Sequence, residues 1–402
     1  MRKEIEQIRI SDYSFDLPDE KIAYKPALER NESKLLVYKE SAISDRKFDE
    51  LGSCLSEGDM LVYNNTHVIH ARIKFERSTG ARIEIFCLDP HSPHTHEESL
   101  ASKTSVVWKC YVGNAKRWKG DILDEEGKRC GLKAELVGRE ADVFLVKFFW
   151  DDTDKSFAEV LAKVGALPLP PYIKREADDE DEDRYQTVYA KDSGSVAAPT
   201  AGLHFTKDVM ASLERMGVSN AYLTLHVGAG TFKPVSSEIV GEHAMHGEVF
   251  NVNRSFIESL LVRRGRLIPV GTTSMRALES LYWIGLSISE MTPECIEIGQ
   301  WTPYGSQEAK MTWQDSMKSV LGFMDIHGLD EIRATTSILI APGYKVRMID
   351  GLITNFHMPK STLLLLVSAL VGESWRSIYR HALDNDYRFL SYGDSSLLIA
   401  EK

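Results

Sequence analysis

No two cysteines stand at C-x-x-C spacing, no apolar run is long, and there is no surplus of basic charge; each absence removes a class of protein. Cys54, Cys87, Cys110, Cys130 and Cys295 are odd in number and scattered, which argues against a disulfide framework and against a thiolate zinc site. The longest apolar run, Leu363 to Leu370, is interrupted by Ser368 and ended by Gly372, well short of the ~20 residues that cross a bilayer. No membrane segment is expected. The start MRKEIEQIRI alternates charge and has no apolar core, so no secretory leader is predicted and a reducing cytoplasm is the expected compartment. A net charge of −11 works against indiscriminate nucleic-acid binding, which depends on Lys and Arg displacing counterions. Any such role must rest on local patches, of which Lys116-Arg117-Trp118-Lys119, Lys174-Arg175 and Arg263-Arg264-Gly265-Arg266 are candidates. Taken singly, each reads as solvated surface charge. Also missing are a Walker loop, a nucleophile elbow and a kinase signature. Gly228-Ala229-Gly230 lacks the third glycine of a dinucleotide fingerprint, which excludes NAD.

What is present fits a globular enzyme. A chain of 402 residues exceeds the ~250–300 at which a single core stops growing, so two or more domains are expected. From Ala71 to Trp150 six short β-rich runs follow one another: ARIKFER, ARIEIFCLD, VVWKCYVG, DILD, CGLKAELVG and DVFLVKFFW. They predict a compact antiparallel barrel or sandwich. After Asp152 helical and strand-like segments alternate, which predicts an α/β architecture. The expected fold is thus an α/β main domain, residues 1–70 and 151–402, with an inserted small antiparallel β-barrel, residues 71–150. His91-Ser92-Pro93-His94-Thr95-His96-Glu97-Glu98 reads as a polar surface loop, and the acidic run Asp178 to Asp183 as another.

Three later segments each run from an apolar strand into a small or polar turn: Ser219–Val227 into Gly228-Ala229-Gly230-Thr231, Arg266–Val270 into Gly271-Thr272-Thr273-Ser274, and Val346–Thr354 into Asn355 to Ser361. Ligands in open α/β sheets bind beyond the carboxyl ends of strands. Residues 271–276 and 355–360 are therefore expected to wall one crevice. Free amides at the helix start, with Arg276 in the first turn, suit a carboxylate or phosphate; ordinary capping by Thr or Ser explains the same residues. His243, His246 and Glu248 form either a metal triad or an acid/base cluster, and their spacing with Gly247 favours acid/base or hydrogen-bonding work. His204 and His357 have apolar neighbours, as satisfied buried histidines do. In VAAPTAGLHF, residues 196–205, small side chains imply close approach to something, and Gly202 would permit positive φ.

Taken in order, GDMLVYNNTHVIHARI, LPLPPYIKR, DRYQTVYA, GSVAAPTAGLHFT, LTLHVGAGTFKPV, EHAMHGE, VGTTSMRALES, DGLITNFHMPKSTLLLLVSAL and YRFLSYGDSSLLI closely resemble the S-adenosylmethionine:tRNA ribosyltransferase-isomerases of queuosine biosynthesis. The resemblance implies an α/β domain with an inserted β-barrel. It implies S-adenosylmethionine as co-substrate, no metal, and a tRNA anticodon stem-loop carrying 7-aminomethyl-7-deazaguanine as partner. Ribose would pass to the aminomethyl group and become an epoxycyclopentanediol while adenine and methionine leave. A sulfonium acidifies the neighbouring ribose C5′ protons, so a carboxylate or imidazole can remove one while a second group protonates departing adenine. On this basis His204, His226, His246, Glu248 and His357 are expected at the reacting centre, with Glu248 or His204 as base. Thr200, Gly202, Gly228, Gly230, Thr272, Thr273, Arg276 and Asn355 are expected around the co-substrate, with Asp394 adding a polar contact. A monomer or weak homo-oligomer is expected. Lys34, His67 and His70 stand where the family usually has Arg, Arg and Pro, and Ser289–Thr336 looks longer than its counterpart, an added helix, lid or oligomer contact. Two other functions fit the same residues: a tRNA-binding paralogue with no ribosyl transfer or a changed substrate, and a metal-dependent hydrolase built on His243, His246 and Glu248.

Overall fold

Strand Met60–Asn64 is buried at all five positions, the mark of a strand covered on both faces. It pairs in parallel with Ser219–Leu225 on one side and Leu267–Pro269 on the other. In this computed structural model, which describes residues 2–77, 79–124, 129–140, 142–228, 235, 237–305 and 311–400, these three strands begin a mixed six-stranded sheet. The sheet continues antiparallel through Glu248–Asn253 and Glu331–Thr336 and ends on the parallel strand Glu297–Ile298. Helix Thr272–Ser287 packs into the main core with Met275, Leu278, Leu281 and Tyr282 buried, and Ser274, Glu279 and Ser280 are buried as well. A helix buried nearly all round must lie inside the fold rather than on its surface.

A second sheet runs in the order Gly351–Asn355, Ser395–Ile399, Lys34–Lys39, Ala42–Lys47. A parallel bridge between Val270 and Ile353, with Gly271 N–H donating to Ile353 O at 2.8 Å, joins it to the first. Two strand ends are thereby held side by side, and the turns that follow them emerge together.

The six runs between residues 71 and 150 are all strands, in the spatial order Arg72–Glu76, Arg82–Ser92, Ser105–Gly113, Val143–Phe149, Lys133–Glu140, Leu123–Asp124, antiparallel throughout. Their alternate residues, Ile73, Ile83, Ile85, Trp108 and Phe148 among them, fill a barrel-like interior. Helix Phe157–Val164, closed by a capping box between Ser156 and Glu159, adds Phe157, Val160, Leu161 and Val164 to the same core.

Several local expectations are corrected. His96 opens a helix, His96–Ala101, and is buried against His226, ring centroids 4.2 Å apart, rather than lying on a surface loop. The acidic run is likewise a helix, Asp179–Arg184, whose Asp181 is fully buried and paired with Arg175 and Tyr392. Two of the basic patches serve the fold: Arg266 clasps buried Asp59, Arg263 stacks on Trp313 at 3.9 Å, and Lys174 pairs with Asp19. Lys116, Arg117 and Lys119 remain exposed. Ser289–Thr336 is no appendage, since it supplies two strands of the first sheet and helix Trp313–His327, which packs on Thr272–Ser287. No helix among the described residues is long and apolar enough to cross a membrane.

Candidate active site

Beyond the joined strand ends lies a cavity of about 420 Å³, within the ~300–1,000 Å³ typical of small-molecule sites. Its wall draws on segments far apart in sequence: Pro199 and Thr200, His243 to Glu248, Gly271 to Thr273 with Arg276, Ile338 to Ile340, and Asn355 with His357 to Leu363. The two turns expected to face each other do so.

The helix start is capped by Gly271 at φ +94°, with no side-chain cap hydrogen bond. Neither Thr nor Ser closes this end, so Thr272 and Thr273 open onto the cavity with the positive end of the helix dipole. One turn on, Arg276 is buried and ion-paired with Glu248, which the adjoining strand Glu248–Asn253 brings across. Arg276 Nε donates to Ile338 O at 3.4 Å, while Nη2 is buried without a hydrogen-bond partner. Gln300 fixes the preceding loop, accepting from Met245 N–H at 2.9 Å and donating to His243 O at 2.7 Å. It comes from the segment that looked like an insertion.

His357 shares 2.9 Å with Thr354 Oγ1 through Nε2, and its backbone N–H donates to Tyr379 Oη at 3.1 Å. Burial pushes its pKa down to about 4, which keeps the imidazole neutral at physiological pH. His246 is exposed at the mouth. Burial also lowers the neighbouring His243, with His246 adding to the effect.

Not every expected residue reaches this wall. His204 lies behind Asn355, fully buried between Ser33 and Asn355. His226 packs on His96 and approaches Thr66 Oγ1 at 3.3 Å, away from the cavity lining. Gly202 faces protein: a Cβ there would come within 1.9 Å of Tyr189 Oη, and its φ is not positive. Gly228 is not part of the lining, and Gly230 lies outside the described residues. Asp394 spends its carboxylate on the backbone amides of Lys34 and Arg388. Lys34 donates to the carbonyls of Asn385 and Asp386, and His70 pairs with Glu182 at 2.7 Å. Neither they nor His67 lines the cavity. Tyr172, Tyr185 and Ser391 do line it and were not singled out, although LPLPPYIKR, DRYQTVYA and YRFLSYGDSSLLI contain them. Among the described residues no three His, Cys, Asp or Glu side chains are grouped to hold a metal ion, so His243, His246 and Glu248 do not assemble one.

A family model described as queuosine biosynthesis protein matches residues 10–398. The chain belongs to that family. It is 38% identical over 396 residues to an S-adenosylmethionine:tRNA ribosyltransferase-isomerase of Dechloromonas aromatica (strain RCB), and 39% identical over 397 residues to one of Paraburkholderia phymatum, covering 97% of both chains in each case. These relatives have nearly this chain's length, which leaves little room for a segment peculiar to it. Among solved structures it is similar to the S-adenosylmethionine tRNA ribosyltransferase of Thermotoga maritima, with 26% identity over 97% of this chain and 100% of the other and a TM-score of 0.46.

Proposed function

We propose that this chain transfers and isomerises the ribosyl moiety of S-adenosylmethionine onto 7-aminomethyl-7-deazaguanine at the tRNA wobble position, giving epoxyqueuosine-tRNA and releasing adenine and methionine. The observation that carries this is the cavity itself, in a chain whose near-full-length relatives bear that enzyme's name. One side offers helix-start amides and Arg276, suited to a carboxylate such as that of the methionine portion. Glu248, His246 and His357 stand on the same wall as carboxylate and imidazoles for moving protons. Glu248 is the base candidate that lines the cavity, Thr200, Thr272, Thr273 and Asn355 supply hydrogen bonds, and no metal takes part. The barrel strands pair with one another, apart from a bridge between Arg72 and Ala166, which supports residues 71–150 as a domain inserted between 1–70 and 151–402. The partner is the anticodon stem-loop, and the protein works in the cytoplasm as a monomer or weak homo-oligomer.

Incubation with S-adenosylmethionine and a stem-loop bearing the aminomethyl deazaguanine, followed by mass spectrometry of the nucleosides, tests this. Adenine release coupled to the expected mass gain, undiminished after chelation, is the expected result. Binding of the stem-loop with no adenine released would instead favour the paralogue without transfer.

A further inference from the structure

A directed chain of hydrogen bonds runs from the protein interior to the cavity wall, and its two backbone carbonyls fix the direction because a carbonyl can only accept. At the inner end Ser33 Oγ donates to Arg30 O at 3.3 Å, so it accepts from His204 Nδ1–H at 2.8 Å. A neutral imidazole protonated on Nδ1 is an acceptor at Nε2, and Asn355 Nδ2 lies 3.3 Å from it. The other Nδ2 hydrogen points to Asp394 O at 3.5 Å, a second carbonyl that would repel the amide oxygen if the carboxamide were turned over. Asn355 Oδ1 must therefore face Thr200, whose Oγ1 donates to it at 2.9 Å. With its proton committed inward, the Thr200 hydroxyl can offer a ligand only lone pairs. Burial drives the His204 pKa down to about 3, so the chain does not reverse by protonation near neutrality.

We propose that His204 is a positioning residue which, through Asn355, makes Thr200 a pure acceptor at the cavity wall, selecting a ligand hydroxyl or amine donor. This rests on the function proposed above, whose co-substrate carries both kinds of donor, on its ribose and on its adenine. The test compares inhibition constants of S-adenosylhomocysteine and of its 2′-deoxy, 3′-deoxy and N6,N6-dimethyl forms in the stem-loop reaction. Thr200→Val should weaken S-adenosylhomocysteine about 3- to 10-fold, the worth of one neutral hydrogen bond, yet leave one of the three analogues unchanged, which identifies the donor. Thr200→Ser should restore the affinity. His204→Leu should reproduce the Thr200→Val pattern, and the double variant should be no weaker than either single one. His204→Gln, which keeps an acceptor toward Asn355, should recover most of the loss and leave the shape of the kcat/KM pH profile as in the wild type. Equal weakening of all four inhibitors by Thr200→Val, multiplying losses in the double variant, or a vanished ionisation in the His204→Gln profile would each overturn the proposal. His204→Gln and Thr200→Val carry the test even if His204→Leu does not fold. A wild type that releases no adenine overturns the functional proposal and this one with it, whereas an active wild type with insensitive variants overturns this one alone.

Discussion

Arg276 and Glu248 are both buried, and each is the other's charge partner at the cavity. Removing one partner of a buried pair leaves an uncompensated charge, which costs more than removing both. Glu248→Ala should thus lose about 3–5 kcal/mol in urea unfolding, while Glu248→Ala combined with Arg276→Ala should lose less than the sum of the two single changes. The cycle should close with a coupling of about 1–3 kcal/mol; additive losses would mean that the pair does not interact. Glu248→Gln keeps an acceptor for the guanidinium and is the variant in which a slowed single turnover can be assigned to a lost base. At Gly202 stability alone should change, since its added methyl meets Tyr189 and not the cavity. Gly202→Ala should cost about 1–3 kcal/mol through overpacking, with the KM for S-adenosylmethionine unmoved in folded protein. Of the chemistry-bearing residues that do line the cavity, Arg276 and Asn355 are legible because turns at strand ends announce themselves through local composition, Glu248 through its cluster with His243 and His246, and Thr200 only through the family resemblance. The sequence could not tell that Gly202 and His204, two and four residues beyond Thr200, turn the other way, since side-chain direction in an irregular turn depends on distant neighbours such as Tyr189 and Ser33.

At the level of elements, what could be read in advance followed from short-range periodicity. The six β-rich runs became six strands because period-two alternation is a local signal. Segment 289–336 does contain the expected helix, Trp313–His327, but its place in the fold is long-range and so not legible locally: strand Glu331–Thr336 pairs with Glu248–Asn253, and the helix meets Thr272–Ser287 at one glycine. A Cβ at Gly285 would fall 2.3 Å from Ser316 O and 2.2 Å from Ser316 Oγ, so the helices approach closely only because that side chain is absent. Gly285→Ala should separate them and cost about 1–3 kcal/mol, seen as a lower melting temperature. The displacement should also reach the cavity, since the same helix carries Thr272, Thr273 and Arg276. Glu279 on that helix is fully buried and accepts from Tyr344 Oη at 2.6 Å and from the amides of Arg347 and Met348 at 2.9 Å each. It ties down the chain that leaves the wall residues Ile338–Ile340. Glu279→Leu removes every one of those acceptors and should cost more than Glu279→Gln, with hydrogen exchange faster across residues 344–349; equal protection in both variants would deny Glu279 this clamping role.

Across the whole molecule, acid sensitivity should come chiefly from histidines held neutral by burial or partial burial, His204, His357 and the stacked pair His96 and His226. Burial holds His357 and His226 at about 4 and His204 at about 3, while His96 falls to about 2 through burial and then its neighbours His226 and Arg333. In the unfolded chain each titrates near ~6.5. Between that value and the folded one, the unfolded state holds a proton that the native state does not, so stability falls as pH falls. The contribution is complete above about 6.5 and is lost progressively as pH falls, toward 4 for His357 and His226 and further down for His204 and His96, at about 1.4 kcal/mol per pH unit for each histidine. The loss joins the two halves of the fold, because His96 belongs to the barrel-side helix His96–Ala101 and His226 follows strand Ser219–Leu225 of the main sheet. Urea unfolding measured at intervals from pH 7.5 to 4.5 should show stability declining steeply below 6.5. His226→Phe keeps a ring against His96 but cannot take up a proton, so its curve should be shallower by about one histidine's slope, ~1.4 kcal/mol per pH unit. An unchanged slope in that variant would mean that His226 binds its proton as readily in the folded chain as in the unfolded one, and that the stacked pair carries no acid penalty.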